Sequence, residues 1–209
     1  MTIAVAALHK GGDGDGIVMG AESMLSRNGH LPETIQKLFV VPRKQLVVSV
    51  AGDLRLSWTT DSTNERHILD FPELVNCAME TLDGPPIKIL ADCVGSTIAL
   101  ARFLPQPRTD LQILVGVKVD DKWELATVSA MLIDGDVSGG IPKQAIFSGI
   151  GTYLSYESDA KNGIVGAPPL PTAKFDDREK AEAWVRAVIA WCCKKFPNEC
   201  GGDVHISTL

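Results

Sequence analysis

Met1 is followed by Thr2, and that pair has the plainest chemical content in the sequence. Thr2 is small, so the methionine before it is a target for removal, which would leave a threonine hydroxyl beside a free α-amine. A threonine hydroxyl is a weak nucleophile alone, and an N-terminal amine can serve as its base. The reference pKa of an α-amine is about 7.7–8.0, against about 10.4 for a lysine, so the amine can take a proton near neutral pH. Position two by itself reads more readily as the start of an edge strand. Other signatures fail. Ile17 stands where a G-x-G-x-x-G beginning at Gly12 needs its third glycine, and there is no Walker loop and no H-E-x-x-H. There is no G-x-S-x-G elbow. His9, His30, His67 and His205 are scattered, and the spacing of Cys192, Cys193, Cys200 and His205 is not that of a zinc ribbon or knuckle. The Asp13-Gly14-Asp15-Gly16 loop lacks the Glu of a calcium loop. No metal and no organic cofactor is expected.

Periodicity gives the elements that must position Thr2. Residues 2–8 and 17–22 are short apolar runs joined by a Gly/Asp cluster, the pattern of a hairpin. Residues 35–41 and 45–52 read as strands with Pro42 in the turn, and Leu46-Val47-Val48-Ser49-Val50 as a buried one. Phe71, Leu74, Val75, Ala78, Met79 and Leu82 then take helical spacing, with Pro72 in the first turn. Gly84-Pro85-Pro86 separates a second helix, running from Ile89 through Cys93 to Ala101 and closed by Pro105 and Pro107. Residues 111–119 and 123–133 read as a hairpin over Asp120-Asp121-Lys122. Residues 145–148 read as a short strand before a glycine turn at 149–151 and a helix from Thr152. Residues 162–171 read as a surface loop, Ala181 to Cys192 as a third clear helix, and 204–208 as a last strand. Antiparallel strands in blocks, alternating with blocks of helices, predict sheets covered by helical layers rather than a parallel βαβ sheet.

The 209 residues are 45% apolar and 22% charged, which fits one domain over residues 1–209. Twenty basic against 26 acidic residues give −6, a balance that speaks against a nucleic-acid surface or a polybasic membrane anchor. No run of about 18 apolar residues marks a membrane span, and the N-terminus is not built like a signal peptide. Five cysteines, an odd number without a secretion signal, fit a reducing cytoplasm.

Several short motifs, taken in order, resemble the β-type subunits of the proteasome and the bacterial HslV peptidase, members of the N-terminal nucleophile hydrolases. They are Thr2-Ile3-Ala4-Val5, Ile17-Val18-Met19-Gly20-Ala21-Glu22-Ser23, Ile35-Gln36-Lys37-Leu38-Phe39 and Ser49-Val50-Ala51-Gly52. Leu111-Gln112-Ile113-Leu114-Val115-Gly116 and Phe147-Ser148-Gly149-Ile150-Gly151 look like later parts of the same pattern. The resemblance implies a four-layer αββα sandwich of two antiparallel sheets and a threonine-type endopeptidase. Thr2 would be the nucleophile, Lys37 would lie beside its hydroxyl and lower the cost of an alkoxide, and Glu22 would hold Lys37. Gly52 would donate its N–H to the oxyanion, a contact typically worth about 2.7–4 kcal/mol. Ser26 would pair with an extended peptide by strand addition, and Leu25 and Val50 would shape an apolar first specificity pocket. It further implies polypeptide substrates, self-assembly into a homo-oligomeric ring or array, and an ATPase unfoldase on a separate chain.

The sequence departs from that pattern in the supporting residues. Ile150 falls where a serine belongs in the glycine turn, flanked by Ser148 and Thr152. Pro197 and Cys200 stand at the positions of a later Asp and Ser, and Met24 replaces an arginine. Two rival readings stay open at this point. One is a non-catalytic structural subunit of the same architecture, although such subunits normally carry an N-terminal helical extension that is not seen here. The other is an amidohydrolase acting on a small amide, since fold does not fix substrate.

Overall fold

A computed structural model describes residues 2–11, 14–25, 33–60, 65–104, 108–144 and 146–209; the side chains of Leu25 and Thr60 lie outside that description. Chain order begins with β1 (Ile3–His9), β2 (Gly16–Glu22), β3 (Met24–Leu25), β4 (Glu33–Thr34), β5 (Leu38–Val41) and β6 (Leu46–Gly52). The hairpin of β7 (Arg55–Thr60) and β8 (Glu65–Asp70) leads into α1 (Phe71–Thr81) and α2 (Pro86–Ala101). Then come β9 (Thr109–Val119), β10 (Lys122–Ile133), β11 (Asp136–Gly140), β12 (Lys143–Gln144) and β13 (Phe147–Gly151). The chain closes with α3 (Tyr153–Lys161), α4 (Arg178–Lys195) and β14 (Val204–Thr208).

Two antiparallel sheets carry the fold. One has the order β13-β1-β2-β14, the other β11-β10-β9-β6-β5 with β12 beside β10. Alternation along β1 shows how the layers form. Ile3, Val5 and Ala7 pack with Val185, Val188 and Ile189 of α4, while Ala4, Ala6 and Leu8 pack with Val47, Leu114 and Leu125 of the other sheet. The far face of that second sheet, with Val48, Ile113 and Val115, buries Val75 and Met79 of α1 and Leu90 and Val94 of α2. Three apolar interfaces thus separate four layers in the order α, β, β, α. Because β1 and β2 are buried on both faces, both are continuous apolar runs.

Local signals hold the elements to their places. Asp70 caps α1 by accepting from the Glu73 N–H, with Pro72 in the first turn, and Asp177 caps α4 by accepting from Lys180 N–H. The β9–β10 turn is two residues, Asp120 and Asp121, both at positive φ, as this kind of hairpin requires.

The elements differ from the sequence reading in several places. The β7–β8 hairpin and β11 were not anticipated. Residues 35–37 precede β5 rather than belonging to it. Gly149 and Ile150 do not turn: they pair with Val5 and Ala4, so ladder pairing with β1 overrides the local glycine signal and only Gly151, at φ +69, breaks the strand. Pro105 and Pro107 lie outside the described residues. No described helix is long and apolar enough to cross a membrane.

Candidate active site

The hairpin register brings the sequence-predicted residues to one end of the sandwich. Pairing of Ala4 with Ala21 sets the start of β1 beside the end of β2, so Thr2 lies next to Glu22. The stretch before β5 is tied down on both sides. Ile35 N–H donates to the Ser23 carbonyl (2.8 Å), and Val50 N–H of β6 donates to the Lys37 carbonyl (3.1 Å). Lys37 therefore enters the space between the sheets at the point where β1 begins.

There its Nζ donates to Thr2 Oγ1 at 2.7 Å and to Glu22 Oε1 at 2.7 Å, with a third contact to the Met24 carbonyl. An ammonium has three donors, and all three are used. Glu22 is equally saturated. Its Oε1 also accepts from Ile3 N–H (3.3 Å), and its Oε2 accepts from Met24 N–H (2.6 Å) and Gly201 N–H (3.3 Å). Four donors on one carboxylate fit the ionised, acceptor-only form. Both side chains of this ion pair are 0% exposed. Burial lowers the Lys37 pKa from the ordinary 10.5, and the Glu22 charge opposes that shift. The lysine is thus a desolvated cation pressed against a hydroxyl, an arrangement that favours charge developing on Thr2 Oγ1.

Two glycine turns frame this cluster. Gly52 ends β6 at φ +103, and a Cβ there would sit 2.0 Å from the Asp110 carbonyl oxygen. The peptide that follows is fixed, because Asp53 N–H donates to that same carbonyl at 2.7 Å. Gly151 ends β13 at φ +69, where a Cβ would sit 1.7 Å from the Thr2 carbonyl oxygen. Only glycine gives both the conformation and the approach. The Thr2 carbonyl is anchored from the same turn by Thr152 N–H at 2.9 Å.

The supporting residues differ from the expected pattern. Ile150 is buried in the apolar layer between the sheets, away from polar work. Thr152 takes part instead: its Oγ1 lies 3.1 Å from Cys200 Sγ, with both residues buried. Burial raises the Cys200 thiol pKa, which keeps it a neutral partner. Pro197 is exposed. Val50 is fully buried among the residues packed on α1 and α2, two positions before Gly52. Ser26 and Met1 lie outside the described residues, as does the Leu25 side chain. Sequence reasoning missed the Met24 carbonyl and the Gly201 N–H, which are backbone groups with no signature in residue type. It also missed Gln112, a polar residue within the mostly apolar run of β9 from Leu111 to Val117. Among the described residues no group of three or more His, Cys, Asp or Glu could hold a metal ion. A cleft of about 510 Å³ opens beside β13, lined by Asp110, Gln112, Ser129, Gly149 and Tyr153 among others; Thr2 is not part of its wall.

No protein-family model matches this chain, and no curated protein does. Solved structures do match. One is a chain of the helical assembly of the Anbu complex from Pseudomonas aeruginosa, at a TM-score of 0.55 and 15% identity, covering 100% of this chain and 81% of that one. This corrects the resemblance drawn from the short motifs. They pointed to proteasome β-type subunits and HslV, whereas a solved chain that matches this one over its whole length belongs to Anbu. At 15% identity the likeness is one of fold, and the fold it identifies is the αββα sandwich.

Proposed function

We propose that this chain is a threonine-type endopeptidase subunit of a self-compartmentalising assembly, with Thr2 as nucleophile once Met1 has been removed. The observation that carries this reading is the buried contact of 2.7 Å between Lys37 Nζ and Thr2 Oγ1, with Glu22 behind the lysine. Thr2 Oγ attacks the scissile carbonyl carbon, and its proton passes to the α-amine and then to the leaving amine. The C–N bond breaks to leave a threonyl ester, and water releases the acyl group by the reverse sequence of proton transfers. Lys37 keeps its positive charge against the developing alkoxide, and Glu22 holds it there. The Gly52 N–H meets the oxyanion, Ser26 pairs with the extended substrate, and Leu25 and Val50 favour an apolar residue before the cut.

The site sits in a single domain over residues 1–209, needs no metal or organic cofactor, and takes polypeptide substrates. A helical array in a chain of like fold supports homo-oligomerisation here. A separate ATPase would deliver unfolded chains. The five cysteines are free thiols, which fits a reducing cytoplasm. A panel of fluorogenic peptides with apolar residues before the cleavage point tests the reading. Hydrolysis by the wild type, abolished in Thr2→Ala and partly kept in Thr2→Ser, is expected. Activity on small amides but on no peptide, or peptide hydrolysis that survives Thr2→Ala, would overturn it.

A further inference from the structure

Gln112 lies on β9, on the side of that strand that faces the other sheet, where its neighbour in alternation, Leu114, belongs to the apolar layer. It is only partly buried, yet its side-chain amide is fully engaged across the gap. Its Oε1 accepts from Gly151 N–H at 3.0 Å, and its Nε2 donates to Asp110 at 3.0 and 3.3 Å. Asp110 is in turn locked to the end of β6. Its backbone N–H donates to Asp53 Oδ2 at 2.9 Å, and its carbonyl accepts from Asp53 N–H at 2.7 Å. The first of these turns holds the Thr2 carbonyl; the second carries Gly52.

We propose that Gln112 is a positioning residue, a brace through Asp110 that fixes the turn holding Thr2 against the turn carrying the Gly52 N–H. The two turns belong to different sheets, so ladder hydrogen bonding does not set their separation. Side-chain atoms must do it, and the Gln112 amide supplies an acceptor for one sheet and a donor for the other. The inference rests on the proposed roles of Thr2 and Gly52: a nucleophile and an oxyanion donor work only at a fixed mutual distance, and a displacement of about 1 Å can cost on the order of 100-fold in rate.

The test compares Gln112→Leu, which keeps the bulk and removes both hydrogen bonds, with the double variant Q112E/D110N. The exchange leaves an acceptor for Gly151 N–H and reverses the polarity of the second bond, since the new amide at position 110 then donates to the new carboxylate at position 112. Acylation of Thr2 by a β-lactone is followed as a function of reagent concentration. The maximal rate is expected to fall about 10- to 100-fold in Gln112→Leu with the half-saturating concentration unchanged, and to return to within about threefold of wild type in the double variant. Wild-type rates in Gln112→Leu, or a double variant as slow as Gln112→Leu, would overturn the brace. Amide hydrogen exchange keeps the two claims apart. If the wild type is not acylated at all, the peptidase reading falls. The brace still requires faster exchange at Gly151 and Asp53 in Gln112→Leu, with protection regained in the double variant, and unchanged exchange at either amide refutes it.

Discussion

Lys37 is the residue on which the account turns. It is a cation with no contact to water, its three donors taken by Thr2, Glu22 and Met24. Removing one member of such a pair leaves the other charge buried and uncompensated, which typically costs about 3–5 kcal/mol. Lys37→Met is therefore expected to abolish acylation and to lower stability by about that amount, whereas E22Q/K37M should recover most of the stability and none of the activity; urea unfolding and active-site labelling read the two effects separately. The sign of the pH effect follows from the lowered lysine pKa. Between that value and the 10.5 of the unfolded chain, the unfolded state binds more protons, so stability rises with pH across the window. Below it, the cost of the buried charge is fully present. Urea midpoints of wild type should climb relative to E22Q/K37M as pH approaches about 10. Thr2, Glu22, Lys37 and Gly52 were singled out by the order of short motifs and the family resemblance they carry, and the structure brings the first three into contact through Lys37. Met24 and Gly201 contribute backbone atoms only, which residue type does not announce; Thr152 and Cys200 were noted in the sequence at or beside supporting positions, but not their contact with each other, which joins residues 48 apart in the chain.

At the scale of elements, chemistry depends on strand ends. Glu22, Gly52 and Gly151 all terminate strands, and Thr2 precedes one; antiparallel pairing in one sheet places the ends at Thr2, Glu22 and Gly151 together, while Gly52 ends a strand of the other sheet. The two glycine turns are the least tolerant points. Gly52→Ala must shift a Cβ away from the Asp110 carbonyl at a positive φ, and strain of this kind costs about 1–3 kcal/mol before any clash is relieved. We expect reduced thermal stability together with a maximal acylation rate lowered more than the half-saturating concentration is raised, checked by calorimetry and β-lactone kinetics. Most strands and helices could be read in advance, because β1, β2, β6, β9 and α1 carry a strong period and clear punctuation. The β7–β8 hairpin could not. Its β8 strand is polar and largely unburied, so it has no apolar alternation, and the hairpin is held by strand pairing, by Leu56 and Leu69 against the α1–α2 core, and by the Arg55–Asp70 ion pair. Gly149-Ile150-Gly151 misled for the opposite reason: a local turn signal lost to a non-local ladder.

Across the whole molecule, the candidate site lies at one end of the sandwich, where β1 begins and β2 ends. Self-assembly belongs with the proposed function, since a peptidase site open to solvent would have to be screened from folded proteins. Sedimentation analysis of the purified chain is expected to show species many times the monomer mass, and a monomer at micromolar concentration would contradict that part of the proposal. The layered architecture was expected from the blocks of strands and helices; the partner surfaces were not, because exposed apolar residues such as Leu154, Phe103 and Val165 are spread along the chain and single exposed apolar residues are ordinary. The most direct measurement is mass spectrometry of the N-terminal peptide after treatment with a β-lactone. Met1 is expected to be absent and the adduct to be an ester on Thr2, lost in Thr2→Ala. A retained Met1, or an adduct on any other residue, would contradict the proposed mechanism.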